Sequence, residues 1–239
     1  MQNGKLTMDD FTHRKSKIAH YFNNQQSCNR QSTIKLNYMK IAVIRYNAGN
    51  IQSVLNALER LGVAAILTDD PAEIRSAERV IFPGVGEAST AMRYLRERGL
   101  DAVIRSLTQP VLGICLGMQL LGEHSEENDT ECLSIVPARV RKLTPNPLKG
   151  ALKVPHMGWN TAQAIDNQLF ENIAPNPYFY FVHSYTMELN DATIAQTDYG
   201  IPFTSAVQWR NFYGVQFHPE KSAGAGEQLL RNFLNETDF

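Results

Sequence analysis

The chain has 239 residues, 43% of them hydrophobic and 20% charged, with a formal net charge of −1. That length and balance suit one sizeable domain with a substantial core, and near-neutrality removes the electrostatic case for a nucleic-acid or anionic-membrane partner. No stretch approaches the roughly 18 consecutive apolar residues of a membrane-spanning helix, and three scattered cysteines, Cys28, Cys115 and Cys132, argue against a disulfide framework and for a reducing, cytoplasmic location.

Residues 1–38 are rich in Asn, Gln, Ser and Lys and carry six basic side chains against two acidic ones. With no sustained apolar period they read as a disordered N-terminal extension, and folding is expected to begin at Met39 and run to the end as one domain. From there strands and helices alternate. "KIAVIRY" is a buried strand, and "NIQSVLNALERLG" gathers Ile51, Val54, Leu55, Leu58 and Leu61 on one helical face before Gly62 stops it. "VAAILTD" is the next strand, after which Asp70 and Pro71 supply an N-cap and a first-turn proline. "RVIFPG", the helical stretches "ASTAMRYLRERG" and "LDAVIRSLT", and the strand "PVLGIC" continue the series. This alternation predicts an α/β fold, a mostly parallel central sheet flanked by helices.

The second half is richer in strand signals: "SIVPARVRKLT", "YFYFVHSYTMEL", "TIAQTD" and "TSAVQWRNFYGVQF", the last turning about Arg210 and Asn211. These add antiparallel strands, and "GEQLLRNFLNE" supplies a closing amphipathic helix.

The chemistry concentrates where "PVLGIC" hands over to a helix. Gly113, Cys115 and Gly117 form G-x-C-x-G, a nucleophile-elbow pattern. Flanking glycines permit a cramped turn that holds the thiol at the sheet edge, where the following helix N-terminus favours thiolate. Most free cysteines are simply small buried residues, so the pattern alone leaves both readings open. A thiol nucleophile needs a base and an orienting acid. Of six histidines, His13 and His20 lie in the extension and His124 sits on the polar side of the elbow helix, where a solvated role is expected. His156, His183 and His218 remain. Only His218 follows an apolar strand and has a carboxylate two positions on, Glu220, which an extended backbone stiffened by Pro219 would aim the same way.

"GICLGMQ", "FPGVGE" and "FHPEKS", in that order, resemble the class I, triad-type glutamine amidotransferases. Within them, "YNAGN", "PHMGWN" and "YFVHSY" resemble the glutaminase subunits of imidazole glycerol phosphate synthases, in histidine biosynthesis. The resemblance spans residues 39 to about 236 and leaves the extension uncovered. It implies Cys115 as nucleophile, His218 as base and then acid, and Glu220 as its orienting group. It also implies an oxyanion hole from the backbone of Leu116 and of Val85, with Gly84 and Gly86 giving the Val85 peptide freedom to turn. Gln119, Glu127, Ser184, Tyr185 and Gly84 would bind the substrate L-glutamine, although Glu127 falls in the charged run "EHSEEND", usually a solvated face.

Because no acceptor domain follows "HPEKS", the resemblance implies a second protein, a (β/α)8-barrel cyclase that takes up the ammonia. Asn47, Asn50, Met157, Trp159, Tyr180 and Lys221 would lie at that interface, although Asn50 also reads as the N-cap of its helix. No organic cofactor or metal is expected: there is no CxxC pair, HExxH or P-loop, and "PGVGE" lacks the third glycine of a dinucleotide fingerprint. The competing readings are the glutaminase subunit of another amidotransferase and an inactive binding module of the same fold.

Overall fold

The computed structural model describes residues 39–47, 49, 51–145, 148 and 152–235. The expected disordered extension, Asn50 and the last residue of the predicted closing helix lie outside these. The first half is built from strands β1 (Ile41–Ile44), β2 (Ala65–Thr68), β3 (Arg79–Gly84) and β4 (Val111–Cys115), with helices α1 (Ile51–Arg60), α2 (Pro71–Ser76), α3 (Ala88–Glu97) and α4 (Leu100–Arg105) between them. α1 buries Val54, Ala57 and Leu58, while Ile51, Leu55 and Leu61 pack partly buried beside them, the face that the 3.6-residue period marks. Asp70 caps α2 as its sequence predicts: Oδ1 accepts from the backbone N–H of Ala72 at 2.7 Å and of Glu73 at 3.3 Å, and Pro71 opens the helix.

Helix α5 (Leu116–Leu121) follows β4 directly, and the second half adds short strands β5 (His124–Ser125) and β6 (Thr130–Glu131), then β7 (Arg139–Lys142), β8 (His156–Thr161) and β9 (Gln163–Ala164). β10 (Tyr178–His183), β11 (Tyr185–Met187), β12 (Thr193–Asp198), β13 (Pro202–Trp209), β14 (Phe212–Val215) and helix α6 (Ala223–Asn235) complete it. Among the described residues a 12-stranded sheet runs β2-β1-β3-β4-β14-β13-β11-β7-β5-β6, with β12 branching from β13 and β9 pairing with β12. β2, β1, β3, β4 and β14 pair in parallel. β14 then meets β13 antiparallel through the two-residue turn at Arg210 and Asn211, where Arg210 takes a φ of 56°.

Two expectations change here. "SIVPARVRKLT" forms a strand only over Arg139–Lys142. "YFYFVHSYTMEL" is not one strand: it breaks at Ser184, so that β11 stays in the main sheet while β10 pairs with β8 in a separate two-stranded ribbon. The physical reason is the alternation of side chains along the sheet, which divides the core in two. Ala42, Ile44, Val80 and Phe82 face α2 to α5. Ile41, Val43, Ile81 and Leu112 face the other way, toward α1, α6 and the ribbon, where Phe179 and Phe181 of β10 pack against Phe217. Lying over this second face, β10 covers core that would otherwise meet water.

Candidate active site

β4 delivers Cys115 to the carboxyl end of the parallel strands, and α5 starts one residue later. Cys115 has φ 53° and ψ −109°, a conformation that side chains with a Cβ rarely adopt, so the strain of the turn rests on the nucleophile candidate itself. The glycines of G-x-C-x-G serve a different need. A Cβ on Gly117 would collide with the Phe82 carbonyl oxygen, and one on Gly113 would come within 2.8 Å of the Met118 nitrogen. They let β3, β4 and α5 approach closely enough to hold the turn.

His218 is 1% exposed, and its Nδ1 lies 2.8 Å from Glu220 Oε1. The local backbone differs from the extended one expected: His218 itself is extended, but Pro219–Lys221 forms a 3-10 turn, which still folds Glu220 back onto the imidazole. Because Glu220 accepts at Nδ1, that nitrogen carries a proton, and Nε2, buried and without a nitrogen or oxygen partner, is the nitrogen left to exchange a proton with the reacting groups. Burial works against an imidazolium here, but hydrogen bonding and charge attraction to Cys115 and to the Glu220 carboxylate outweigh it, pushing the His218 pKa up to about 10.

Around the sulfur lies a cavity of about 260 Å³ lined by Val85, Gly86, Cys115, Leu116, Gln119, Glu127, Pro155, Val182, His183, Ser184 and Tyr185. Every candidate oxyanion-hole residue is in this lining, as are Gln119, Glu127, Ser184 and Tyr185. Gly86 has φ 122°, a conformation open to glycine. Gly84 is not in the lining: its backbone packs under the elbow, where a Cβ would fall on the Tyr46 hydroxyl and 3.0 Å from Leu116 Cβ. Glu127 is drawn out of the solvated run by the α3 N-terminus, its Oε2 accepting from the Ala88 N–H at 2.8 Å, and burial raises its pKa. His124 is buried rather than solvated, in β5, with Nε2 2.8 Å from Asp129 Oδ1.

Sequence reasoning missed three groups. Gln216, fully buried, donates from Nε2 to Cys115 Sγ at 3.6 Å, and its Oε1 accepts from Gln119 at 2.9 Å. Its signal was its place two residues before His218, just past the end of β14. His183, itself in the cavity lining, forms a buried pair with His156. No cluster of three or more His, Cys, Asp or Glu among the described residues is placed to hold a metal ion.

The family model described as "Glutamine amidotransferase class-I" matches residues 42–237. The imidazole glycerol phosphate synthase subunit HisH of Bacteroides thetaiotaomicron is 53% identical over 197 residues, covering 82% of this chain and all of that one. The chain belongs to the class-I glutamine amidotransferases. A HisH subunit from Idiomarina loihiensis is 47% identical, covering 83% of this amidotransferase and 99% of its own length. The fold is shared more widely: a putative GMP synthase component from Thermoplasma acidophilum superposes with a TM-score of 0.63 at 21% identity, over 83% of this chain and 93% of that one.

Away from the cleft, the amidotransferase exposes Met157 and Trp159 of β8, at 62% and 53%, with Trp159 edge-on to Tyr180 at 6.1 Å between ring centroids. Lys221 Nζ lies 6.0 Å from the centre of the Tyr180 ring, and Asn47 is exposed. No helix of the described residues is long and apolar enough to cross a membrane.

Proposed function

We propose that this chain is the glutaminase subunit of an imidazole glycerol phosphate synthase in histidine biosynthesis, hydrolysing L-glutamine at Cys115 and passing the ammonia to a (β/α)8-barrel cyclase. The observation that carries the chemistry is the arrangement of Cys115 on a strained elbow beside a buried His218 whose Nδ1 is held by Glu220. His218 Nε2 takes the thiol proton, and the sulfur attacks the side-chain amide carbon of glutamine. The oxyanion forms against the N–H groups of Leu116 and Val85; losing one such donor typically costs about 3 kcal/mol of barrier. His218 returns the proton to the amide nitrogen, the C–N bond breaks, and ammonia leaves a γ-glutamyl thioester. Water then gives a proton to His218 and attacks the thioester, and collapse frees glutamate while His218 reprotonates the sulfur.

Gln119, Glu127 and the Ser184–Tyr185 backbone hold the substrate, and Gln216 steadies the sulfur through its Nε2 contact. The partner reading rests on the HisH relatives, whose names describe one part of a synthase, and on the apolar patch at Met157, Trp159 and Tyr180. Two buried free thiols, Cys115 and Cys132, suit a reducing cytoplasm. The test is Cys115→Ala in complex with the cyclase: glutamine-dependent product formation is abolished while synthesis from free ammonia persists. Loss of both, or retention of the glutamine reaction, overturns the assignment.

A further inference from the structure

Two histidines that the mechanism does not use lie opposite each other in the ribbon, His183 of β10 paired in register with His156 of β8. They are 6% and 2% exposed. His183 Nδ1 is 2.9 Å from the Tyr185 carbonyl oxygen, and a carbonyl only accepts, so Nδ1 carries the proton. With Nε2 left as acceptor, His156 Nδ1, 3.0 Å away, must donate to it. His156 Nε2 in turn faces the Asn160 amide nitrogen at 3.4 Å, which also donates to the Asp198 carbonyl at 3.1 Å. Every member of this chain therefore has one allowed polarity, running from Asn160 through both rings to the Tyr185 carbonyl.

That carbonyl is the point where the chain meets the cleft. It also accepts from Gln119 Nε2 at 2.9 Å, and it belongs to the Ser184–Tyr185 segment that forms one wall of the cavity over Cys115. Ser184 is where the main chain leaves the ribbon for the main sheet; on one side Tyr185 pairs with Lys142 of β7 and the Ser184 carbonyl accepts from the Leu143 N–H at 2.8 Å, while the pairing of β11 with β13 on the other side is at Met187, beyond this segment. A peptide that must present its polar groups to a substrate needs some other restraint on its orientation.

We propose that His183, oriented by His156, is a positioning residue that fixes the Tyr185 carbonyl and with it the backbone wall against which glutamine binds. The inference rests on the glutaminase reading given above. The surroundings support it: His156 is stacked between Phe181 and Tyr199, at 4.8 and 3.9 Å between ring centroids, and His183 sits edge-on to Phe203 at 5.2 Å. Burial in this aromatic setting pulls the pKa of His156 down to about 4; burial, with the neighbouring His156, takes that of His183 to about 3. Both rings therefore stay neutral near pH 7, which the donor–acceptor order requires.

The test compares His183→Asn, His183→Gln and His183→Phe in the full chain assembled with the cyclase, reading KM and kcat for glutamine and the rate at which iodoacetamide alkylates Cys115, followed by mass spectrometry. An Asn amide nitrogen can take the place of Nδ1 and keep the bond to Tyr185; a Gln amide reaches the position of Nε2 and cannot. His183→Asn is expected within about threefold of the unsubstituted KM, and His183→Gln and His183→Phe to raise it by roughly tenfold, with kcat and alkylation changed less than about twofold. If His183→Phe does not fold, the Asn and Gln pair decides alone. Equal KM values for Asn and Gln, or a fall in kcat and alkylation with KM unchanged, overturn the positioning role. An unsubstituted complex that hydrolyses no glutamine overturns the glutaminase reading itself.

Discussion

Glu220 Oε1 sits 2.8 Å from Nδ1 of His218, both side chains almost wholly buried, with the Cys115 thiol on the other side of the imidazole. The carboxylate fixes the tautomer that leaves Nε2 free to take a proton, and it stabilises the imidazolium once formed. Glu220→Gln keeps the shape and removes the charge. Its kcat for glutamine hydrolysis is expected to fall by about 10² to 10⁴ with KM little changed, measured by steady-state glutamate release.

The buried histidines predict an asymmetric pH dependence of stability. In His156 and His183 the folded pKa lies below the unfolded value near 6.5, so the unfolded chain binds protons first as pH falls. Their contribution is complete above about pH 6.5 and is lost toward pH 4 and 3, at up to about 1.4 kcal/mol per pH unit for each ring. His218 has the opposite sign: its raised pKa contributes stability that is complete below about pH 6.5 and is lost as pH rises through about 10. Urea denaturation at pH 5 and pH 7 should show the acid loss, and His183→Asn should reduce it.

Glycines in this chain are not equivalent. A Cβ on Gly117 meets the Phe82 carbonyl, a backbone atom that cannot step aside without opening the β3–β4 pairing. Gly117→Ala is expected to cost about 3 kcal/mol or more. Gly224, in the first turn of α6, has open space around it, and Gly224→Ala should be neutral or stabilising by up to about 1 kcal/mol. Denaturant midpoints of the two variants check the contrast.

Trp159 stands 53% exposed on β8, against Tyr180. Trp159→Ala should leave the isolated chain within about 0.5 kcal/mol of its original stability. Its affinity for the cyclase should fall by about 2 kcal/mol or more, roughly a thirtyfold rise in Kd by titration calorimetry.

The parts of the site readable in the sequence are those whose partners lie close along the chain. Gly113 to Gly117 marks one turn, and His218 and Glu220 are two positions apart, so strand-to-helix punctuation and charge pairing expose them. Gln216 needed the pairing of β14 with β4, which places it beside a sulfur 101 residues away. The His156–His183 pair needed the break at Ser184, and a β-prone run with no glycine or proline in it gives no sign of one. His124 reads as solvated from its place on the polar side of the elbow helix, and the charged run around Glu127 suggests a solvated face, but Asp129 and the α3 N-terminus give their polar atoms partners within the protein.

β14 is the last strand among the described residues, yet it lies between β4 and β13 in the middle of the sheet, and it leads directly to His218. During synthesis the thiol therefore leaves the ribosome about a hundred residues before the base that activates it. On the proposed assignment, a nascent or prematurely terminated polypeptide carries Cys115 without His218, and the two meet only once β14 has closed the sheet.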